Sequence, residues 1–188
     1  MSQAPTISFS HIGIYVSDIA RMEAFYTRFL GFTVTDRGDL DTPRGKVGLV
    51  FLSRDPNEHH QIVLATGRPE DLGFNTVNQM SFRVDSLDTL RTLYNAMVDG
   101  DLQGEMSEVS PACHGNALSV YVRDPEGNRL EIFIDTPWYV NQPLRVPFDF
   151  SLDNAALWAW AERHARAQPG FRPRAEWVRE MTQKMGLA

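Results

Sequence analysis

Residues 9–16 read Phe-Ser-His-Ile-Gly-Ile-Tyr-Val and run into Ser17-Asp18-Ile19-Ala20-Arg21-Met22-Glu23-Ala24-Phe25-Tyr26. An apolar strand pattern gives way to a polar helix-start residue. Apolar residues then recur at three and four positions, which places them on one helix face. The pattern returns 68 positions later: His11 falls on Gln79, Val16 on Val84, Ile19 on Leu87, Met22 on Leu90, Tyr26 on Tyr94 and Phe29 on Met97. Further on, Leu49-Val50-Phe51-Leu52-Ser53-Arg54-Asp55-Pro56 parallels Leu118-Ser119-Val120-Tyr121-Val122-Arg123-Asp124-Pro125, with Asp-Pro breaking regular structure in both. Allowing one residue fewer in the second turn, Ile62-Val63-Leu64 lies over Leu130-Glu131-Ile132.

Each copy therefore reads as strand, helix and about three strands. Two βαβββ modules, at residues 7–68 and 75–135, predict an α+β domain over residues 1–135 with a curved, cup-like sheet. Residues 136–188 form a C-terminal extension, extended and aromatic through Asp135-Thr136-Pro137-Trp138-Tyr139-Val140 and helical near 151–167 and 173–185. Trp158 and Trp160 are expected to pack on the core, narrow a substrate entrance or support a dimer contact.

Composition narrows the function classes. A chain of 188 residues, 43% hydrophobic, can bury a sizeable core. Its net charge of -6 carries no footprint for nucleic acid. The first residues lack a signal-peptide pattern and no apolar run is long enough to span a bilayer, so a cytoplasmic protein without membrane association is expected. Cys113 is the only cysteine, which rules out an intrachain disulfide, and its neighbour His114 is poorly placed to activate it.

The repeat makes four positions equivalent: His11, Val63, Gln79 and Glu131. Three are polar residues interrupting apolar strands, and a buried Glu131 needs a partner. Arg83 and Arg129 are candidate partners within the protein, and His11 and Gln79 can also be read as hydrogen-bonded core residues. A cation shared by His11, Gln79 and Glu131 accounts for all three together, through imidazole nitrogen, amide oxygen and carboxylate oxygen.

Ser10-His11-Ile12-Gly13-Ile14-Tyr15-Val16, Phe25-Tyr26-x-x-Phe29-Leu30-Gly31-Phe32 and Tyr121 to Phe133 resemble the vicinal oxygen chelate superfamily of glyoxalases, bleomycin-resistance proteins and extradiol dioxygenases. The resemblance covers about residues 7–135 and leans toward single-domain extradiol dioxygenases. It implies iron(II), with manganese(II) or another divalent metal as alternatives, held by His11 and Glu131, with Gln79 where the dioxygenases carry a second histidine. It also implies catalytic roles for His60, or for His59 by strand parity, in proton transfer, and for Tyr121 and His114 beside the substrate. Glyoxalase I enzymes accept a glutamine ligand but use a carboxylate where this chain has Val63.

The expected function is ring cleavage of a catechol-like aromatic, with a small aromatic substrate and dioxygen as partners and a homo-oligomeric assembly. A small-molecule binding protein of the same fold with little or no metal is the alternative. A glyoxalase-like lyase or isomerase is the third reading.

Overall fold

The computed structural model describes residues 7–43, 45–100, 102 and 106–187. They fall into two compact units, Met1–Thr76 and Val77–Ala188. The first unit runs β1 (Ile12–Val16), α1 (Ile19–Arg28), β2 (Thr33–Thr42), β3 (Gly45–Ser53) and β4 (Ile62–Thr66). Its sheet has the order β1-β4-β3-β2, with β1 parallel to β4 and the other pairs antiparallel. The second unit runs β5 (Met80–Arg83), α2 (Leu87–Val98), β6 (Ser107–Cys113), β7 (Ala117–Arg123) and β8 (Arg129–Asp135). There β5 pairs in parallel with β8, and β8-β7-β6 repeats the order of β4-β3-β2. Both modules are thus βαβββ, as the repeat predicts.

Local signals set the boundaries. Asp18 and Ser86 cap α1 and α2, accepting from the backbone N–H of Arg21 and Thr89 at 3.0 Å each. The tail adds β9 (Trp138–Tyr139), β10 (Val146–Pro147), α3 (Asn154–Arg166), β11 (Arg172–Pro173) and α4 (Arg174–Lys184), all within the second unit. β10 extends the second sheet by pairing with β6, and β11 pairs with β9. The Arg91 guanidinium on α2 holds the tail by donating to the carbonyls of Phe150 and Leu152. Trp158 packs edge-on to Trp138, and Trp160 lies beside Phe148. Among the described residues no helix is long and apolar enough to cross a membrane.

The register confirms one part of the repeat and corrects another. Gly13 pairs with Val63 and Ser81 with Glu131, so the interval of 68 positions holds across both parallel pairs. In the hairpins, however, Phe51 faces Val63 while Tyr121 faces Glu131. Phe51 therefore corresponds to Tyr121, one place away from the match with Val120 suggested by aligning Asp-Pro with Asp-Pro. The length difference lies in the turns, 53–61 against 123–129, and not within the strands. A slip of one residue exchanges the faces of a strand, so this correction decides what stands opposite Glu131.

A second correction concerns His11. It precedes β1 and is exposed, rather than interrupting a buried strand. β1 itself alternates, with Ile14 and Val16 buried and Gly13 and Tyr15 exposed. It is a half-buried edge strand whose pattern has the expected period of two.

Candidate active site

Alternation divides the second sheet into two chemistries. Leu118, Val120, Val122, Leu130 and Ile132 are almost fully buried, as are Leu87, Leu90 and Met97 of α2, which packs on β6, β7 and β8. Burying each large aliphatic side chain contributes about 1.5–3 kcal/mol, enough together to fix which face turns to the core. The other face is thereby committed to Gln79 and Ser81 from the β5 segment, Ser119, Tyr121 and Arg123 from β7, and Arg129 and Glu131 from β8. The register-equivalent positions of the first unit hold Gly13 for Ser81, Leu49 for Ser119, Phe51 for Tyr121 and Val63 for Glu131. The polar cluster is the chemical difference between the two modules.

Glu131 is its centre. The residue is 8% exposed, and its carboxylate accepts four hydrogen bonds. Gln79 Nε2 and Ser81 Oγ donate to Oε2 at 2.8 and 2.6 Å, while Ser119 Oγ and Tyr121 Oη donate to Oε1 at 2.7 and 2.9 Å. Arg83 pairs with Asp135 and Arg129 lies over the Tyr121 ring, so neither serves as the expected partner of Glu131. Burial, and then the negative charge of Glu131, push the Tyr121 phenol up to about 12.

His114 completes the row. It lies in the turn after β6, with Nε2 2.9 Å from Tyr121 Oη and 3.8 Å from Glu131 Oε1. Its Nδ1 is 2.6 Å from the Leu144 carbonyl, which can only accept, so Nδ1 carries a proton. The single phenolic hydrogen then has two destinations. Donated to Glu131, it leaves Nε2 to donate and makes His114 an imidazolium; donated to a neutral His114, it leaves Oε1 one bond short. The row His114–Tyr121–Glu131 can therefore hold or move one proton.

The tail builds this turn. Thr136 Oγ1 donates to the Gly115 carbonyl at 2.6 Å, Val140 N–H to Asn116 Oδ1 at 2.7 Å and Gln142 Nε2 to the His114 carbonyl at 2.7 Å. Gly115 has φ +71°, and a Cβ there would stand 2.3 Å from Val140 Cγ2, so both conformation and packing demand glycine. Cys113 takes no part: its Sγ accepts from Gly115 N–H at 3.3 Å, and burial pushes its thiol up.

The first unit brings its three expected histidines together. His11 and His60 rings lie 4.3 Å apart, and His59 Nδ1 and His60 Nδ1 are 2.8 Å apart. Both His59 and His60 also flank Phe51, at ring distances of 5.5 and 5.2 Å. Strand parity does not choose between them, because β4 begins at Ile62. Burial, then the neighbouring His11 and His59, hold His60 below the usual histidine range. The Nδ1 atoms of His59 and His60 share one hydrogen bond, whose direction follows their tautomers.

His11 belongs to the first unit, and Gln79 and Glu131 to the second. Imidazole, amide oxygen and carboxylate are donors that iron(II) and manganese(II) accept, so the residue types fit such an ion. In the second unit the fit carries a condition. Every lone-pair position of Glu131 already has a protein donor, and Gln79 offers its amide nitrogen. A cation at Glu131 requires one donor to withdraw. Half-buried Gln79 is the one that can turn its amide to present oxygen instead. Sequence reasoning missed Ser81 and Ser119; their signal is a hydroxyl two residues from, or directly opposite, each of the polar positions in otherwise apolar strands.

The model of the Glyoxalase/Bleomycin resistance protein/Dioxygenase superfamily matches residues 8–132. Biphenyl-2,3-diol 1,2-dioxygenase 2 of Rhodococcus globerulus is 26% identical over 169 residues, covering 81% of this chain and 82% of that protein. A glyoxylase/bleomycin resistance protein/dioxygenase domain from Frankia sp. EAN1pec shares the fold with a TM-score of 0.56 at 22% identity, over 70% of this chain and 100% of that one. The fosfomycin resistance protein FosX from Listeria monocytogenes gives 0.50 at 19% identity, over 70% and 96%. The chain belongs to the glyoxalase/bleomycin resistance protein/dioxygenase superfamily, the vicinal oxygen chelate group, and has extradiol dioxygenase-like relatives.

Proposed function

We propose that the protein is an extradiol-type ring-cleavage dioxygenase acting on a catechol-like aromatic. The hydrogen-bonded row His114–Tyr121–Glu131 is the observation that carries this reading. It joins a carboxylate of ligand type to a phenol and an imidazole that together can relay the proton of a diol hydroxyl to His114 Nε2 and return it. The relatedness to a diol dioxygenase over four-fifths of both chains supports it.

In this reading His11, Gln79 and Glu131 hold an iron(II) or manganese(II) ion; the repeat and the family resemblance join His11 to the other two. Such an ion, when bound, would supply the Lewis-acid and redox chemistry that ring cleavage needs. The chain's own residues do the rest. Ser81 and Ser119 hold the Glu131 carboxylate in one orientation. With His114 unprotonated at Nε2, Tyr121 passes its phenolic proton to that nitrogen as it takes the proton of a substrate hydroxyl, and the Leu144 carbonyl fixes the imidazole through Nδ1. His60 in its neutral form accepts a proton, with His59 as its hydrogen-bond partner.

One observation favours a second reading. Glu131 is fully satisfied by protein donors, and Gln79 replaces an imidazole with a neutral amide. That state suits a protein that binds aromatics with weak or no metal. A glyoxalase-like reaction is disfavoured by Val63, since Glu131 is the single carboxylate among the four equivalent positions. Anaerobic purification, elemental analysis and oxygen uptake with a catechol panel separate the readings. Stoichiometric metal, oxygen consumption and a yellow ring-fission product support the dioxygenase. A metal-free protein that binds catechols and consumes no oxygen, even after iron(II) is added, overturns it.

A further inference from the structure

A cavity of about 230 Å³ opens beside the polar row, lined by Glu108, Ser110, Tyr121, Arg123, Arg129 and Arg145. Its charge is unusual for this chain. Arg123 and Arg129 are direct cross-strand partners, a like-charge pairing that opposes sheet formation. Only Arg123 is neutralised, by Glu108 at 2.7 Å. The Arg129 guanidinium lies 4.3 Å from the centre of the Tyr121 ring, and that of Arg145 lies 5.4 Å from it. Arg145 also donates to Ser110 Oγ at 3.3 Å. Among the described residues neither Arg129 nor Arg145 has a carboxylate partner. Three guanidiniums thus face one carboxylate, within a chain of net charge -6.

Tyr121 is shared by the cavity and the row. Its hydroxyl meets Glu131 and His114, while Arg129 and Arg145 lie against its ring. Tyr121 is the one member of the row that lines the cavity, so a ligand reaching from its phenol into the cavity would meet the two guanidiniums. A hydrocarbon substituent there would desolvate two cations with no compensating charge. A carboxylate would instead accept hydrogen bonds from a planar donor fork that is already oriented by stacking on the ring. Arg145 owes its place to β10, whose pairing with β6 brings the tail alongside the sheet.

We propose that this cavity is a carboxylate-binding subsite, and that the substrate class is an aromatic diol bearing an acidic side chain. The inference rests on the ring-cleavage reading for the diol and on the cavity alone for the carboxylate. Isothermal titration with phenylacetate and with 3,4-dihydroxyphenylacetate, each against its methyl ester, tests it. In the wild-type protein both acids bind at least about tenfold more tightly than their esters, as a charge-assisted bidentate contact implies. R129Q and R145Q each reduce that preference about fivefold or more, while ester affinity changes less than about twofold and circular dichroism remains native.

Equal binding of acids and esters, no binding of any probe, or an undiminished preference in both folded variants overturns the subsite. Oxygen uptake tests the other half independently. A protein that prefers acids but cleaves no diol keeps the subsite and loses the ring-cleavage reading; one that cleaves neutral catechols without preference does the opposite.

Discussion

Tyr121 and Glu131 stand directly opposite each other in the β7–β8 register, and the phenol donates to Oε1 at 2.9 Å. The equivalent pair of the first unit is Phe51 and Val63. One scaffold therefore carries an apolar pair in one module and an acid–phenol pair in the other, which concentrates the proton chemistry of the sheets in the second unit.

The phenol titration follows from that pairing. Burial first, and then the Glu131 charge, raise Tyr121 to about 12. Since an unfolded tyrosine titrates near ~10, the folded state holds this proton more tightly. The stabilisation is complete below about pH 10 and is lost as pH rises toward about 12. Ultraviolet difference titration of wild type against Y121F isolates this tyrosine from the other four. In E131Q its midpoint falls, because the carboxylate charge is gone while burial remains. An identical midpoint in E131Q would remove Glu131 as a cause.

Glu131→Gln separates structure from metal binding. The amide offers one oxygen where the carboxylate offers two, so donors on one side lose their acceptor, at a cost of about 1–3 kcal/mol. Denaturant unfolding reads that loss. Thermal unfolding with and without iron(II), under anaerobic conditions, reads the ligand role: the metal-induced rise in Tm expected of wild type should disappear in E131Q. If both proteins respond equally to iron(II), Glu131 is structural alone.

The module order, both helix caps and the two tail helices were legible because each depends on local patterning: a period of two, a period near 3.6 and a polar start residue. The identity of the residue facing Glu131 was not, because two turns of unequal length sit beside the same Asp-Pro dipeptide, and aligning those dipeptides shifts the strand by one place. His59 and His60 were ambiguous for a related reason, since strand parity has no meaning before β4 begins at Ile62. The part of the tail in the site was hidden altogether. Leu144 acts through its carbonyl and Arg145 through a strand pairing of two residues, neither of which leaves a composition signal.

Gly115→Ala tests that dependence on the tail. The new methyl would stand 2.3 Å from Val140 Cγ2 at a φ of +71°, so either the turn or the tail must move. A stability loss of about 1–3 kcal/mol is expected, the usual scale for overpacking. Because the same methyl would stand 3.2 Å from Leu144 Cδ2, next to Arg145, the acid preference of phenylacetate binding should weaken with it. The double variant G115A/V140A relieves the collision but not the backbone strain, and recovers only part of the stability. Full recovery would mean that the conformation at Gly115 carries no strain.

Gln79→His addresses the residue that distinguishes this site from a two-histidine, one-carboxylate centre. In the wild-type protein Gln79 Nε2 donates to Glu131 Oε2 at 2.8 Å and supports a carboxylate that needs no cation. Imidazole is a stronger donor to iron(II) than an amide oxygen, and its insertion also removes a hydrogen bond that competes for the Glu131 lone pair. The two effects act in the same direction. Iron(II) affinity should rise by about tenfold to a hundredfold, the scale on which changes around metal ligands act. The apo-protein should meanwhile lose about 0.5–3 kcal/mol with the amide–carboxylate bond, so the variant is less stable without metal and gains more when metal is added. Anaerobic titration and paired unfolding curves measure both. Unchanged iron(II) affinity in a folded Q79H protein would show that position 79 faces Glu131 for structure alone and has no part in holding a cation.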